Sequence, residues 1–230
     1  MDRLFELDSR LRMCAGMVRP GAKLADIGTD HAYLPVWLMK RGLISSAVAV
    51  DVRPGPLKRA EENIARCGAE HIVTRISDGL SAVSPREADD VVLAGMGGEL
   101  IARIVSEADW LRLDNRRLIL QPMTRETELR LFLQREGFAL LREEAAVSHG
   151  RVYTAMLAQY GPERAGGGEL YPYLGRLSAE SAAGRAYLKK QAVRLRRRAG
   201  GCLAEGKREQ AAELLRIAEQ IDKIREENER

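Results

Sequence analysis

The chain has 230 residues, of which 45% are hydrophobic and 30% charged, and its net charge is +4. This length allows one domain of ordinary size and a small additional one, and no apolar run approaches a membrane span. Because the three cysteines lie far apart without a CxxC pair and the N-terminus lacks a signal-peptide pattern, we expect a cytoplasmic protein with free thiols and no metal site.

Strands alternate with helices over most of the chain. Apolar spacing predicts an amphipathic helix over residues 3–18 and a second helix from Pro54 to about Cys67. Short apolar runs predict five strands, over residues 23–27, 46–51, 72–77, 90–94 and 117–120. This order indicates an α/β fold with a doubly wound parallel sheet.

Two further strands form a hairpin at the end of this region. Phe138 to Val147 and Arg151 to Tyr160 are separated by His149-Gly150, so the last strand runs antiparallel to the others. Rossmann-like methyltransferases that use S-adenosylmethionine (SAM) share that feature and its seven-stranded sheet. We therefore expect one such domain over residues 1–160.

The C-terminal part has a different character. Residues 161–177 contain Pro162 and a run of three glycines, and they are predicted to be a linker. Residues 178–230 are helical, with Leu214, Ile217, Ile221 and Ile224 spaced as in a coiled-coil seam. Residues 1–169 have a net charge of −1 and residues 170–230 one of +5, so this predicted antiparallel helical hairpin is the basic part of the chain.

The turn after the first strand favours one class of cofactor. A dinucleotide site needs G-x-G-x-x-G at this point, but only Gly28 is present, with Asp30 and Tyr33 in the places of the other two glycines. A carboxylate is unfavourable beside a pyrophosphate and favourable beside a cation. SAM carries an amine and a sulfonium and no phosphate, so the loop suits SAM better than NAD.

Acids end the next two strands. Asp51 can accept both hydroxyls of an adenosine ribose, or it can be a surface residue that caps the next helix. Asp78 and Gly79 suit an adenine, because a carboxylate can accept from its amine, but an ordinary Asp-Gly turn has the same sequence.

The fourth strand ends in Gly95-Met96-Gly97-Gly98, which would let the backbone lie against a ligand or a flat base, unless it is only a flexible loop. His31 could orient cofactor or substrate. Gln121 could bind a nucleobase edge or hold a loop. Arg10, expected on the exposed side of the first helix, could meet a phosphate.

Three segments together resemble one family. They are Asp26 to Pro35, Ala94 to Gly98, and Leu118 to Pro122, and they resemble the bacterial tRNA adenine-N1-methyltransferases that modify position 22, the TrmK type. The resemblance extends to the C-terminal coiled-coil hairpin. It departs at Asp51, where relatives can carry Glu, and at Met123, where Asn is expected. It implies SAM contacts from Asp26, Gly28, Thr29, Asp30, His31, Asp51, Asp78, Gly79, Gly95, Met96 and Gly97.

The resemblance implies methyl transfer from SAM to N1 of an adenine in tRNA. N1 has a free lone pair, so direct displacement needs no base to begin it, and the enzyme must align the two reactants. N1 also lies on the pairing edge, so the base must be unpaired or flipped out. The candidates for the pocket that holds this base are Asp30, His31, Tyr33 and Gln121.

The expected partner is tRNA, bound by a monomer away from any membrane. A basic run is usually a solvated helix face, but seven positive charges from Arg185 to Arg198, with no acid between them, favour phosphate binding. The candidate RNA-binding residues are Arg10, Arg185, Lys189, Lys190, Arg194, Arg196, Arg197 and Arg198. Two alternatives are a methyltransferase for a small metabolite and a non-catalytic RNA-binding protein that has kept the fold.

Overall fold

A single seven-stranded sheet forms the centre of the computed structural model, which describes residues 5–161 and 167–228. The strands are β1 (Ala22–Ile27), β2 (Ile44–Asp51), β3 (Ile72–Ile76), β4 (Asp90–Gly97), β5 (Arg117–Thr124), β6 (Phe138–Ser148) and β7 (Arg151–Tyr160). Their spatial order is β3-β2-β1-β4-β5-β7-β6, with β1 to β5 parallel and β7 antiparallel to both of its neighbours. This confirms the predicted sheet.

Eight α-helices accompany the strands in the described residues. They are α1 (Ser9–Ala15), α2 (Tyr33–Lys40), α3 (Pro54–Cys67), α4 (Gly98–Ser106), α5 (Glu126–Arg135), α6 (Tyr171–Leu174), α7 (Ala182–Ala204) and α8 (Arg208–Glu227). The predicted bounds of α3 are confirmed. None of the described helices is long and apolar enough to cross a membrane.

The first helix is shorter than the predicted 3–18. The Asp8 side chain accepts the N–H of Leu11, so α1 begins at Ser9, and it ends before Gly16. Leu7 lies before the helix but is buried, so it continued the apolar spacing from which the longer helix was predicted. Predictions that concern residues 3–4, 162–166 and 229–230 lie outside the described residues.

Helices cover both faces of the sheet, so the central strands are apolar on both sides. Alternate residues of β4 show this: Val91 and Leu93 pack in the layer that contains Ile101 of α4 and Leu129 of α5. Val92 packs in the opposite layer with α1 and α2. The sheet edge that carries the loops is thereby held rigid from both sides.

The strands β4 and β5 extend further than the predicted 90–94 and 117–120. Met96 is paired with Pro122 and Gly97 with Thr124, with irregular register between these pairs. The glycine segment is therefore the end of a paired strand, and the alternative of a free, flexible loop is not supported. Backbone pairing continues here although the apolar pattern has already stopped.

The C-terminal helices pack against each other and against the sheet. Leu188, Leu195 and Ala199 of α7 meet Leu214, Ile217 and Ile221 of α8 in one apolar cluster. The described part of the predicted linker includes α6, whose Tyr171 and Leu174 are buried. The hairpin is thus joined to the rest of the protein by packed residues as well as by the chain.

A buried ion pair lies at that junction. Arg130 of α5 and Glu143 of β6 are both fully buried, with an Nη2–Oε1 distance of 2.5 Å. Arg130 also donates to the carbonyl oxygens of Pro172 and Tyr173 and to the hydroxyl of Tyr187 in α7, at 3.0, 3.0 and 2.9 Å. One guanidinium therefore connects α5, β6, the α6 segment and α7.

Candidate active site

Four strands end side by side at one edge of the sheet. Because β3, β2, β1 and β4 are neighbours, the residues at their carboxyl ends are adjacent: Asp78, Asp51, Gly28 and Gly95. Ligands of open α/β sheets bind at this edge, where the strand order reverses. The structure therefore brings the predicted cofactor residues to a single region.

A cavity of about 350 Å³ opens at this edge. Its wall contains eight predicted residues, namely Arg10, Asp26, Gly28, Thr29, Asp30, Tyr33, Gly95 and Gln121. Six others do not belong to this wall: His31, Asp51, Asp78, Gly79, Met96 and Gly97. Asp8 and Leu11 of the N-terminal segment complete one side, and sequence reasoning had not selected either for the site.

The β1–α2 loop turns sharply at Gly28. Its φ is +75°, and a Cβ at this position would lie 2.9 Å from the Cε atom of Met96. The N–H groups of Gly28 and Thr29 both donate to the Val50 carbonyl oxygen at 2.8 Å. The positive φ is what favours glycine here, because the Met96 methyl group is the end of a flexible side chain and could move aside.

Asp26 is a buried carboxylate at the floor of the cavity. Its Oδ2 atom accepts the hydroxyl of Thr29 at 2.6 Å, and its exposed fraction is 7%. Burial raises the pKa of Asp26 to about 6, although the Thr29 hydrogen bond acts in the opposite direction. A cationic ligand beside this carboxylate would compensate the cost of its charge.

His31 and Ala32 continue the loop in the left-handed region, with φ of 66° and 51°. This conformation is costly for residues with a Cβ, about 1–3 kcal/mol each. Asn63 stabilises it, because its Nδ2 donates to the His31 carbonyl oxygen at 2.8 Å. Asn63 is buried on α3 three residues after Ala60, on the predicted inner face, and that spacing could have identified it.

The aromatic ring of Tyr33 is fixed by its neighbours. It stacks on the His31 ring with a centroid distance of 5.1 Å and meets the edge of Phe5 at 4.9 Å. The carboxylate of Asp30 is exposed and pairs with Arg59 at 2.9 Å. His31 therefore supports Tyr33 from outside the cavity, while Tyr33 and Asp30 face it.

The acids at the ends of β2 and β3 have different surroundings. Asp51 is buried and its Oδ1 accepts the Arg53 N–H at 2.8 Å, just ahead of α3, so it is not the surface residue capping the helix that the alternative proposed. Asp78 is exposed and pairs with Arg103 of α4 at 2.8 Å, and the Arg103 hydrogen bond lowers the pKa of Asp78. Sequence reasoning had not identified Arg103.

Gln121 holds the glycine segment in place. Its Oε1 accepts the Gly95 N–H at 3.1 Å, and its Nε2 donates to the Pro122 carbonyl oxygen at 3.1 Å. Its exposed fraction is 1%. The geometry therefore favours the loop-holding role over the predicted contact with a base, although the side chain forms part of the cavity wall.

Arg10 lies against the cavity, and the expectation of an exposed position on α1 is wrong. Its guanidinium pairs with Asp8 at 2.7 Å and lies over the Tyr153 ring, 5.3 Å from the centroid. Burial acts to raise the pKa of Asp8, but hydrogen bonds from Leu11 and Arg10 outweigh it and lower the pKa. Asp8, Asp26 and Asp30 thus give the cavity three carboxylates against one guanidinium.

Four of the seven basic residues on α7 are occupied within the protein. Lys190 and Arg194 pair with Glu126 at 2.9 and 3.2 Å, and Arg196 pairs with Asp222 at 2.6 Å. Arg185 donates to the backbone oxygens of residues 179 and 180. Lys189, Arg197 and Arg198 are exposed and form no ion pair with other described residues.

Comparisons with known proteins agree with this geometry. The family described as "Methyltransferase domain" matches residues 7–156. A tRNA (adenine(22)-N(1))-methyltransferase of Bacillus subtilis is 36% identical over 157 residues, which cover 68% of this chain and just under two thirds, 66%, of that protein.

Solved structures match over nearly the whole chain. A putative tRNA (m1A22) methyltransferase from Streptococcus pneumoniae, in complex with SAM, has a TM-score of 0.82 and 32% identity, covering 94% of this chain and 99% of that one. TrmK from M. capricolum, bound to S-adenosyl-homocysteine, has a TM-score of 0.81 and 25% identity, covering 96% and 100%. The chain therefore belongs to the TrmK-type tRNA (adenine-22-N1)-methyltransferase family, within the SAM-dependent methyltransferases.

Proposed function

We propose that this chain transfers the methyl group of SAM to N1 of an adenine in tRNA, at position 22. The observation that carries the proposal is the cavity at the ends of β1 and β4, with three carboxylates and one guanidinium in its wall. That charge suits a ligand with an amine and a sulfonium. The two similar structures that contain SAM or its demethylated product support the same cofactor.

The residues at the strand ends would hold SAM in complementary ways. Asp26 and Asp30 offer negative charge to its cationic part, and Asp51 offers an acceptor to its ribose hydroxyls. Gly28, Gly95 and Gly97 allow the backbone to approach it closely. SAM, when bound, supplies an electrophilic methyl group.

The reaction itself is a direct displacement. The N1 lone pair forms a bond to the methyl carbon while the carbon–sulfur bond breaks, and the sulfur leaves as a neutral thioether. No proton has to be removed first, so catalysis consists of alignment in a site poor in water. The methylated ring is cationic, and the carboxylate oxygens of Asp8 and Asp30 in the wall would stabilise the developing charge.

The substrate must present its adenine without a pairing partner, because N1 lies on the pairing edge. Tyr33 offers an aromatic surface for such a base at the mouth of the cavity. Lys189, Arg197 and Arg198 offer charges to phosphates, which dominate RNA affinity. With a tRNA substrate we also propose a cytoplasmic enzyme, the compartment expected from the cysteines.

One experiment separates this proposal from its alternatives. The protein is incubated with unmodified tRNA and methyl-labelled SAM, and the modified base is mapped by reverse-transcription stops. We expect label in the tRNA and a stop at adenine 22, which a transcript with guanine at that position would abolish. Label found only in small molecules would favour a metabolite methyltransferase. RNA binding without any transfer would favour a non-catalytic protein.

A further inference from the structure

A second cavity, of about 370 Å³, lies beside the active-site cavity. Its wall joins three parts of the fold: Met123 at the end of β5, Tyr153 in β7 and Lys190 on α7. Arg151 and Glu126 contribute the other charged groups. The proposed methyl transfer assigns nothing to this space.

One layer of side chains separates the two cavities. Met123 lines the second cavity, and its sulfur is 3.6 Å from Nη1 of Arg10 and 3.8 Å from Nε2 of Gln121, two residues that line the first. Arg10 also lies over the ring of Tyr153, at 5.3 Å from its centroid. The two cavities are therefore close enough to hold two neighbouring parts of one ligand.

The second cavity lies on the side away from the cofactor residues. Asp51 and Asp78 end β2 and β3, whereas this cavity is formed by β5, β7 and α7, on the other side of β1 and β4. Because Lys190 of α7 lines it, the second cavity lies between the active-site cavity and the basic helix. A segment of the substrate is the ligand that this position suits.

The chemistry of the wall is that of a nucleotide site. The Lys190 ammonium is fixed by Glu126 at 2.9 Å and by the Val152 carbonyl oxygen at 3.3 Å, and Arg151 is exposed at the hairpin turn. Arg194 also pairs with Glu126. Lys190, Arg194 and Arg151 thus give this region three positive charges against the one negative charge of Glu126, and its net charge is positive. Tyr153 adds an aromatic ring, on which bases of any sequence can stack.

We propose that this second cavity binds a nucleotide directly adjacent to the target adenine, with its phosphate at Arg151 and its base against Tyr153. The inference rests on the proposed tRNA substrate. Enzymes that extrude a base commonly hold the flanking nucleotides as well, because extrusion breaks the stack on both sides. A neighbouring nucleotide held here would keep N1 of the adenine in register with the methyl group.

The test is a binding cycle between protein and tRNA variants. Binding of a tRNA transcript is measured in the presence of S-adenosyl-homocysteine, for the wild type, Tyr153→Leu and the matched control Tyr153→Phe. No side-chain hydrogen bond involves the Tyr153 hydroxyl among the described residues, so the phenylalanine keeps the ring and removes no internal contact of the hydroxyl. Each protein is paired with transcripts that are abasic at the nucleotide 5′ or 3′ of the target adenine.

We expect Tyr153→Leu to weaken tRNA binding roughly 5-fold or more, and Tyr153→Phe to bind almost as the wild type does. One of the two abasic transcripts should bind the wild type more weakly than the intact transcript does. For that transcript, Tyr153→Leu should cause no further loss of affinity. If the loss of affinity from Tyr153→Leu adds in full to the loss from an abasic site, at both neighbouring nucleotides, the proposal is wrong. SAM affinity measured by calorimetry should be equal in all three proteins, which also checks their folding.

The phosphate contact is tested by salt dependence. Arg151→Gln should reduce the slope of log affinity against log salt by about 0.7–0.9. Lys58→Gln, which removes an equal charge from exposed α3, should leave the slope unchanged. An unchanged slope for Arg151→Gln would contradict the assignment. Because binding is measured without methyl transfer, a wild type that binds tRNA but methylates none would contradict the proposed function and leave the cavity test intact.

Discussion

At the scale of single residues, the site contains a carboxylate in a buried position that disfavours its charge. Asp26 is the clearest case, because its carboxylate is buried with one side-chain hydrogen bond, from Thr29, and forms no ion pair with any described residue. Burial raises the pKa of this group from 3.8 to about 6. The protein without ligand therefore carries an energetic cost at neutral pH that a cationic cofactor would remove.

The sign of this effect gives a prediction for Asp26→Asn. A raised acid pKa means that the folded state binds the proton more tightly, so its contribution to stability is complete below about pH 4 and is lost as pH rises to about 6. Without SAM, the variant should be more stable than the wild type at pH 7 by about 1–3 kcal/mol, and it should lack that pH dependence. Denaturant unfolding between pH 4 and 8 measures this.

The same variant should bind SAM more weakly than the wild type, since its charge is gone. For the wild type, SAM affinity should fall as pH decreases through about 6, because Asp26 becomes protonated. Calorimetry at pH 5 and pH 7.5 checks both statements. Equal SAM affinity for the two proteins would contradict a role of Asp26 in holding the cofactor.

Asp51 has two possible uses that a pair of variants can separate. Asp51→Ala should lose about 1.5–3 kcal/mol of SAM binding, because a carboxylate can accept two ribose hydroxyls. Asp51→Asn keeps an acceptor for the Arg53 N–H but removes the charge. If Asp51 only orders the start of α3, calorimetry will show wild-type SAM affinity for Asp51→Asn. If it binds ribose, both variants will be weaker.

At the scale of elements, Gly97 at the end of β4 and Gly98 at the start of α4 have different amounts of space around them. A Cβ on Gly97 would lie 3.4 Å from Thr124 Oγ1, which is an ordinary contact, whereas a Cβ on Gly98 would lie 2.8 Å from the Arg125 carbonyl oxygen. The backbone of the β5–α5 loop cannot yield as a side chain could. Gly98 is thus a packing residue and Gly97 is free to face a ligand.

We expect the unfolding free energy of Gly97→Ala to lie within about 0.5 kcal/mol of the wild-type value. That of Gly98→Ala should be lower by about 1–3 kcal/mol. The larger change Gly97→Val should also leave the protein folded while SAM binding and methylation decrease sharply. Denaturant unfolding and calorimetry measure the two properties. A Gly97→Val protein that is no longer soluble would show that Gly97 is needed for the fold instead.

The junction between α5, β6 and α7 gives a second prediction at this scale. Arg130→Met would leave Glu143 buried without its cation and should cost about 3–5 kcal/mol of unfolding free energy. Burial already raises the pKa of Glu143, so the lone carboxyl would titrate at still higher pH. The double variant Arg130→Met/Glu143→Leu should recover much of this stability. A double variant less stable than the single one would contradict this account.

The elements could be predicted where apolar patterning determined them and not where a single polar contact did. The order of the strands and the bounds of α3 followed from buried runs and from Pro54. The start of α1 depends on one hydrogen bond from Asp8, and the extension of β4 depends on pairing across to Pro122 and Thr124. Neither has a periodic signal in the sequence.

For the whole molecule, the ion pairs of α7 decide which charges remain for RNA. Removing the hairpin would also remove Tyr187, one of the partners of Arg130, so replacing charges is the cleaner test of RNA binding. Lys189, Arg197 and Arg198 remain, because Lys190, Arg194 and Arg196 contact acids and Arg185 contacts backbone oxygens. Fewer of the seven basic residues are therefore available to RNA phosphates than the sequence run indicated.

We predict that changing Lys189, Arg197 and Arg198 together to Gln weakens tRNA binding and reduces the salt slope by about 0.7–0.9 for each phosphate that is no longer neutralised. SAM affinity should be unchanged. A control protein with Lys40, Lys58 and Arg66 changed to Gln removes equal charge from α2 and α3. If both proteins show the same salt slope, the hairpin is not the specific RNA contact, and filter binding at several salt concentrations decides this.

Site residues could be predicted from the sequence where they lie at the end of a strand. Residues that distant segments bring to the site were harder to predict. Asp26, Gly28 and Gly95 were found because each lies at a strand end. Asp8, Asn63 and Arg103 were missed because their roles depend on contacts made by distant segments. For Gln121 the sequence offered two roles, and only the contacts with Gly95 and Pro122 decide for holding the loop.

The guanidinium of Arg130 limits how freely this hairpin can be exchanged between proteins. Its hydrogen bond to Tyr187, and that hydroxyl's bond from Gln191, fit α7 only to a core that carries an arginine on α5 and a glutamate on β6. Grafted onto a methyltransferase without that pair, α7 would bring a buried Tyr187 hydroxyl that lacks the guanidinium donor it has here. A substitution at Arg130 or Glu143 therefore restricts which residues α7 can carry at the junction.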